Sequence, residues 1–217
     1  MAAEFPGRRA MGQGGAPGDC MRLLIVYCHP DPESFAAAVR DRAVAGARAG
    51  GHEVDLLDLY AEGFDPVMSC DERRGYHTPV ENERPVADHI ARLKAAEGLV
   101  FVYPTWWYGQ PAMLKGWLDR VFVPGVAFEM PEPNAPIRGG LKNIRVVGAV
   151  STLGAPWWWW TFPMLAPGRR VLLRGVKAIC HSRARSFWLG LHEMDSVSEA
   201  ARLRFLDKVE ARLARLR

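Results

Sequence analysis

A chain of 217 residues, 49% apolar and 24% charged, has the composition of one ordinary globular domain with enough apolar material for a sizeable core. Its formal charge is +4, from 28 Lys+Arg against 24 Asp+Glu. The arginines are spread along "GRRVLLRGVK" and the C-terminal "ARLRFLDKVEARLARLR", which argues for solvated helix faces and against a nucleic-acid surface. Cys20, Cys28, Cys70 and Cys180 form no C-x-x-C pair and the histidines no H-E-x-x-H spacing. That excludes a disulfide framework and a zinc site and fits a reducing cytoplasm.

The first 20 residues, "MAAEFPGRRAMGQGGAPGDC", are glycine-rich and without periodicity. Arg8-Arg9 leads into no apolar h-region, so a signal peptide is rejected. A disordered extension is expected over 1–20, a single domain over 21–217, and Met21 is a candidate start. No apolar run approaches ~18 residues, so no transmembrane helix is expected.

"RLLIVYC" (Arg22–Cys28) reads as a buried parallel strand, with Cys28 as a small hydrophobe. A helix follows, with Phe35, Val39 and Ala43 at helical spacing, and closes at Gly50-Gly51. "HEVDLLDLY" predicts a second strand, and residues 64–84 an irregular polar stretch. "VADHIARLKAAEG" predicts a helix, "GLVFVYP" a third strand, and "PAMLKGWLDRVF" a helix with Pro111 in its first turn. "NIRVVGAVST" is the fourth strand, "APGRRVLLRG" a short helix, and "VKAICHS" the expected fifth strand. The last helix opens with a capping box from Ser196 to Glu199 and presents Leu203, Leu206, Val209, Leu213 and Leu216 on one face. This alternation predicts an α/β domain, a five-stranded parallel sheet in 2-1-3-4-5 order with helices on both faces.

In that topology ligands sit beyond the carboxyl ends of the strands. Three loops of unusual composition leave such ends: "HPDPESF", "PTWWYG" and "STLGAPWWWW". In the first, amides at a helix start attract phosphate, but Asp31 as N-cap with Pro32 at the first helical position explains the loop equally well. The chain has no P-loop, and no G-x-G-x-x-G follows a strand, which disfavours a Rossmann dinucleotide domain. "PTWWYG" offers ring faces and backbone donors together, and "STLGAP" small residues that let a flat ring approach. Trp117, on the following helix, reads as core. Trp157–Trp160 cannot all face inward in a regular element; substrate wall, subunit contact and membrane-surface contact stay open for them.

The chain resembles the flavodoxin-like NAD(P)H:quinone oxidoreductase family. "HPDPESFAAAV" is similar to that family's H-x-x-x-x-S-F phosphate segment. "PTWWYGQPAMLKGWLDRVF" is similar to its P-x-x-W-[FY]-x-x-P-A-x-L-K-G-W-x-[DE]-R-V-F signature, and "GVAF" and "STLG" to the segments that follow. The resemblance runs from about Arg22 to the C-terminus and implies a flavodoxin-like three-layer sandwich. It implies a flavin, with FAD favoured over FMN, that takes hydride from NAD(P)H at N5 and passes two electrons to a quinone-like acceptor in alternating, ping-pong order.

Carried over by position, His29, Ser34, Phe35 and Ala36 lie along the cofactor's phosphate. Thr105, Trp106, Trp107 and Tyr108 line one edge of the flavin, and Ser151, Thr152, Leu153 and Gly154 the N1–O2 edge. Val126, Ala127 and Phe128 border the pocket where nicotinamide and quinone alternate, and Trp159 adds a substrate wall. Three positions depart from the family. "APWWWWTFPML" lacks the tyrosine and histidine that accept charge and protons, Phe128 replaces a tyrosine, and Ala36 replaces an asparagine; no catalytic acid carries over. The resemblance also implies a homodimer, with "APWWWW" and Phe128 partly covered by the partner. Two other functions remain on the same fold: an electron carrier, which the +4 charge disfavours, and a regulatory subunit of a membrane transporter, which a docking face at "WWWW" favours.

Overall fold

The structure is a computed structural model describing residues 20–131 and 136–217. Residues 1–19 of the segment expected to be disordered lie outside the described residues. In chain order the elements are β1 (Arg22–Tyr27), α1 (Phe35–Ala49), β2 (Glu53–Asp58), α2 (Cys70–Gly75), α3 (Ala87–Ala95), β3 (Gly98–Pro104) and α4 (Ala112–Val121). After them come a two-residue pair, β4 (Phe128–Glu129) with β5 (Arg138–Gly139), then β6 (Val146–Thr152) and the short α5 (Trp157–Thr161). The one-turn α6 (Pro167–Arg170) runs into a wide π-helical segment over Val171–Val176, and β7 (Arg185–Leu191) and α7 (Glu199–Ala214) complete the chain.

The main sheet has the order β2-β1-β3-β6-β7, and every pairing in it is parallel. This is the expected 2-1-3-4-5 arrangement. Along β1 the side chains alternate between two cores. Leu23, Ile25 and Tyr27 pack with α1 and α7, while Leu24 and Val26 pack with α3 and α4. The approach of α1 to α7 depends on Gly46, where an added Cβ would lie 2.3 Å from the Glu210 carbonyl oxygen. The chain leaves β1 toward β2 on one side and returns to β3 on the other, so the loops after β1 and β3 diverge and open a crevice between them.

Several expectations are corrected. The fifth strand is "RSFWLGL" (Arg185–Leu191); "VKAICHS" instead ends the wide helical turn and the loop after it. Its apolar residues are satisfied by packing under the sheet, with Val176 and Cys180 buried in the α3–α4 core. The N-cap of α1 is Ser34, whose hydroxyl accepts from the Ala37 amide, and not Asp31. Likewise Ser198, not Ser196, caps α7, because Ser196 donates its hydroxyl to the Glu193 carbonyl. On α7, Leu203 is exposed and Phe205 takes the buried place one position off the expected stripe. The stretch read as irregular contains α2, closed by a capping box between Ser69 and Glu72.

Candidate active site

The loop after β1 is built by local side-chain hydrogen bonds. His29 Nδ1 accepts the Asp31 amide at 3.0 Å and lies 3.1 Å from the Asp31 carbonyl. Asp31 Oδ1 accepts the Glu33 amide at 2.8 Å, and Ser34 caps the helix. These bonds satisfy the loop and leave the amides of Phe35 and Ala36 without a partner among the described residues. They are the first two donors of a fifteen-residue helix, where partial positive charge collects.

The loop after β3 is built by backbone strain instead. Trp106 and Gly109 exchange both backbone hydrogen bonds, amide to carbonyl at 3.2 and 3.0 Å, and close a two-residue turn around Trp107 and Tyr108. Those two residues have φ of 47° and 63°, the left-handed region that glycine, not an aromatic residue, adopts readily. The turn leaves both their amides unpartnered among the described residues. Outside contacts hold it: the Gly168 amide donates to the Tyr108 carbonyl at 3.1 Å, and the Trp159 indole N–H to the Tyr108 hydroxyl at 3.3 Å. Gln110 donates to the Gly168 carbonyl at 2.7 Å and ties the same two segments again.

The loop after β6 faces both. The Thr105 and Ser151 hydroxyls are 2.8 Å apart, and the Thr105 amide donates to the Thr152 carbonyl at 2.8 Å, locking β3 to β6 at their carboxyl ends. Leu153 is fixed by an amide bond to the Leu191 carbonyl and by accepting from Met194, while the amides of Gly154 and Ala155 stay unpartnered among the described residues. His192 lies 3.3 Å from the Ala155 carbonyl through Nδ1 and braces this loop from the end of β7. Burial pushes its imidazole below the ordinary value, against the opposing pull of that hydrogen bond.

Between the second and third loops is a cavity of about 270 Å³ lined by Thr105, Trp107, Tyr108, Leu153, Gly154, Ala155 and Trp160. Of the residues expected at the site, the structure thus brings Thr105, Trp107, Tyr108, Leu153 and Gly154 around one cavity. Ser151 and Thr152 stand directly behind it. His29 and Trp106 do not line it; their rings lie 6.2 Å apart, one on the first loop and one on the second. Val126 and Ala127 are placed elsewhere, buried in the α3–α4 core, with Phe128 packed against that core. Trp159 supports Tyr108 and does not line the cavity.

Two lining residues, Ala155 and Trp160, and the brace His192 were not anticipated. Within "WWWW" only Trp160 turns inward; it is buried and stacks on Trp188 with ring centroids 5.1 Å apart. Its indole N–H is buried without a partner among the described residues. The remaining three tryptophans stay 40–56% exposed. Cys28, at the end of β1, is inert, since burial pushes its thiol up to about 12.

This donor set fits a flavin. Free amides at the start of α1 suit a phosphate, and free amides on two facing loops suit the polar edges of a flat heterocycle. Trp107, Tyr108 and Trp160 supply ring surface beside them. Among the described residues there is no cluster of His, Cys, Asp or Glu that could hold a metal ion.

Residues 21–158 match the flavodoxin-like fold family. The chain is 36% identical over 150 residues to NAD(P)H dehydrogenase [quinone] 1 of Rattus norvegicus, covering 62% of this chain and 54% of that protein. The match thus spans about half the length of that curated relative. The structure superposes on NAD(P)H:quinone oxidoreductase from Methanothermobacter marburgensis with a TM-score of 0.74 at 25% identity, covering 90% of this chain and 96% of the other. An FMN-dependent NADH-azoreductase from Bacillus anthracis, solved with FMN, shares the fold at a TM-score of 0.71 and 17% identity over 89% of this chain and 98% of the other. Sheet order, the three loops and the family match over residues 21–158 agree, and the chain belongs to the flavodoxin-like fold family, with NAD(P)H:quinone oxidoreductases among the proteins it is similar to.

Proposed function

We propose that the protein is a flavin-dependent NAD(P)H:quinone oxidoreductase. One observation carries the reading: unpartnered backbone amides from the loops after β3 and β6 meet around a single cavity at the carboxyl end of the sheet, and the free amides that open α1 lie on the loop after the adjacent strand β1. The names of the quinone-reducing relatives agree with it.

A bound flavin would supply hydride acceptance and two-electron delivery. The chain's own residues do the rest. Phe35 and Ala36 amides, with the His29 imidazole, would hold the phosphate. Amides of Trp107 and Tyr108 would hold one edge of the ring, and those of Gly154 and Ala155 the other, where they stabilise negative charge. The buried Trp160 would shield that surface from behind, and the exposed Trp107 would flank it. With one cavity for both, donor and acceptor take turns. Among the described residues no carboxylate, imidazole, thiol or ammonium lines the cavity, so the acceptor's protons would come from solvent or from the Tyr108 hydroxyl.

The flavin's form follows from the first loop. The family resemblance favours FAD, but Ala36 removes a polar contact toward the distal half, and the same fold holds FMN in the azoreductase. Mass analysis of the released cofactor decides between them. The test of the reading itself is the spectrum of the purified protein and its turnover alone with NAD(P)H and a soluble quinone. Flavin bands near the usual positions and turnover without any partner are expected; a protein that takes up neither flavin overturns it.

We carry the domain over 21–217. Met21 is buried and its amide donates to His52 Nδ1 at 3.2 Å, so a truncation should stop before Met21. A homodimer is proposed, covering Trp157, Trp158 and Phe162, which are 56%, 54% and 62% exposed. Trp160 is core, so Trp157→Ser/Trp158→Ser is the variant for sedimentation equilibrium. A wild type that stays monomeric at micromolar concentration rejects the dimer.

A further inference from the structure

A second cavity, of about 310 Å³, opens on the other side of α5 and is lined by Thr161, Leu165, Arg169, Arg170, Arg174 and Ser186 among others. It is separate from the first but shares its wall. Trp160 lines one cavity and Thr161, the next residue, lines the other. Gly168, whose amide and carbonyl hold the Tyr108 turn, directly precedes Arg169. Leu165 and Ala166, both with positive φ (57° and 47°), form the lip between the two.

The electrostatics of this cavity are one-sided. None of the guanidiniums of Arg169, Arg170 and Arg174 makes an ion pair or hydrogen bond among the described residues. By contrast Arg40, Arg42, Arg92, Arg120 and Arg145 all have carboxylate partners. The reason is in the sequence: from Pro133 to His192 there is no Asp or Glu. Three unneutralised forks, with the hydroxyls of Thr161 and Ser186 beside them, make a donor set for a compact dianion.

We propose that this arginine cavity binds a phosphomonoester dianion, and that its source is the 2′-phosphate of the electron donor, making the enzyme selective for NADPH over NADH. The inference rests on the donor role proposed above. A nicotinamide in the first cavity and a phosphate in the second would lie on the two faces of α5, joined across the Leu165–Ala166 lip. NADH presents only a hydroxyl there, and a site built for a dianion gains little from a hydroxyl.

Titration calorimetry with adenosine 2′,5′-bisphosphate, compared with adenosine 5′-monophosphate, reads the site without any turnover. The bisphosphate should bind at least about tenfold more tightly, and the preference should shrink with added salt. Arg170→Gln/Arg174→Gln should abolish the preference and lower the NADPH-to-NADH ratio of kcat/KM by about tenfold or more. Both arginines are exposed, so the fold should survive, and Arg170→Lys/Arg174→Lys should restore part of the preference.

Equal binding of the two nucleotides, or a kinetic ratio indifferent to the double Gln variant, overturns the inference while leaving quinone reduction intact. Retained bisphosphate binding with no turnover on either donor overturns the proposed activity and leaves the site standing. Binding to phosphatidylglycerol vesicles that is lost in the variant, with no bisphosphate binding, overturns the donor as source and assigns the anion to a lipid headgroup.

Discussion

The loops after β1 and β3 present the same thing, a pair of free backbone amides, by opposite means. After β1, side chains do the work: His29, Asp31 and Ser34 each accept a nearby amide, and the backbone rests in ordinary conformations. After β3 no side chain caps the turn. Trp107 and Tyr108 are pushed into the left-handed region, at about 1–2 kcal/mol each, and are held by Gly168 and Trp159 from another part of the chain, with the neighbouring Gln110 tied to Gly168. A phosphate is a compact charge that tolerates small shifts of its donors. A planar ring edge does not. On the proposed reading, the loop that would face the ring is the one whose geometry is fixed by tertiary contacts, while the loop that would face the phosphate can be written in local sequence.

The comparison breaks most sharply at position 107. Proline there cannot reach φ of 47° and removes the amide, so Trp107→Pro should weaken flavin binding by about 100-fold or more and cost about 3 kcal/mol of stability. Flavin fluorescence on titration measures the first and thermal melting the second. A variant that still binds flavin normally would show that the strained turn has no part in holding the ring.

Ser34→Ala is the matching test of the first loop. It removes the cap of α1, at about 1 kcal/mol, and loosens the two amides behind it. Affinity for FMN should fall by roughly tenfold, whereas affinity for lumiflavin, which has the ring but no phosphate, should stay the same. Trp107→Pro should reduce both. Equal losses of FMN and lumiflavin in Ser34→Ala would erase the division of labour between the loops.

At Tyr108 the strain itself can be read. Both Tyr108→Gly and Tyr108→Ala delete the ring and its bond to Trp159, but only glycine is at ease at φ of 63°. The glycine variant should be more stable than the alanine variant by about 1 kcal/mol, the reverse of their order in an unstrained loop. Equal melting temperatures would mean that the turn relaxes once the ring is gone.

The same contrast explains what could be read from sequence. The parallel strands β1, β3 and β6 are continuous apolar runs, and α4 begins at a proline, so the sheet order and the loops at its carboxyl end followed from local pattern. Two apolar runs competed for the fifth strand. "VKAICHS" and "RSFWLGL" have similar composition, and only the hydrogen bonds of Arg185–Leu191 to β6 distinguish them. The helix caps failed for a related reason. Asp31 and Ser34, or Ser196 and Ser198, are both competent acceptors two or three residues apart, and the winner depends on where the helix axis meets the sheet. The capping box Ser69–Glu72 was legible but lay in a polar stretch without an apolar stripe. At the site, the tryptophan run announced that some rings would be exposed. That Trp160 is the buried one depends on its stacking with Trp188, a partner from a different strand. His192 carried no signal, because its role is to reach Ala155 across the fold.

The smallest expected effect concerns the third loop and uses two histidines as each other's control. Burial lowers the pKa of His89 and of His192 below the ordinary value near 6.5. In the unfolded chain both bind a proton once the pH falls below about 6.5, while in the folded protein they remain neutral until the pH reaches their depressed values. Their contribution to stability is therefore complete above about pH 6.5 and is lost as the pH falls toward those values. For His89 the neutral form is also required by Trp117, whose indole N–H donates to Nδ1 at 3.3 Å. That pair sits in the α3–α4 core, away from the cavity, so His89→Gln should flatten the fall in melting temperature between pH 7 and pH 5 and leave flavin affinity as it was. His192 braces the Ala155 carbonyl in either charge state, so His192→Gln should flatten the same slope and also weaken flavin binding a few-fold at every pH. Should the His192 variant bind flavin as tightly as the wild type, the loop after β6 is positioned by Leu153 and its two backbone bonds alone, and it then belongs with the first loop rather than the second.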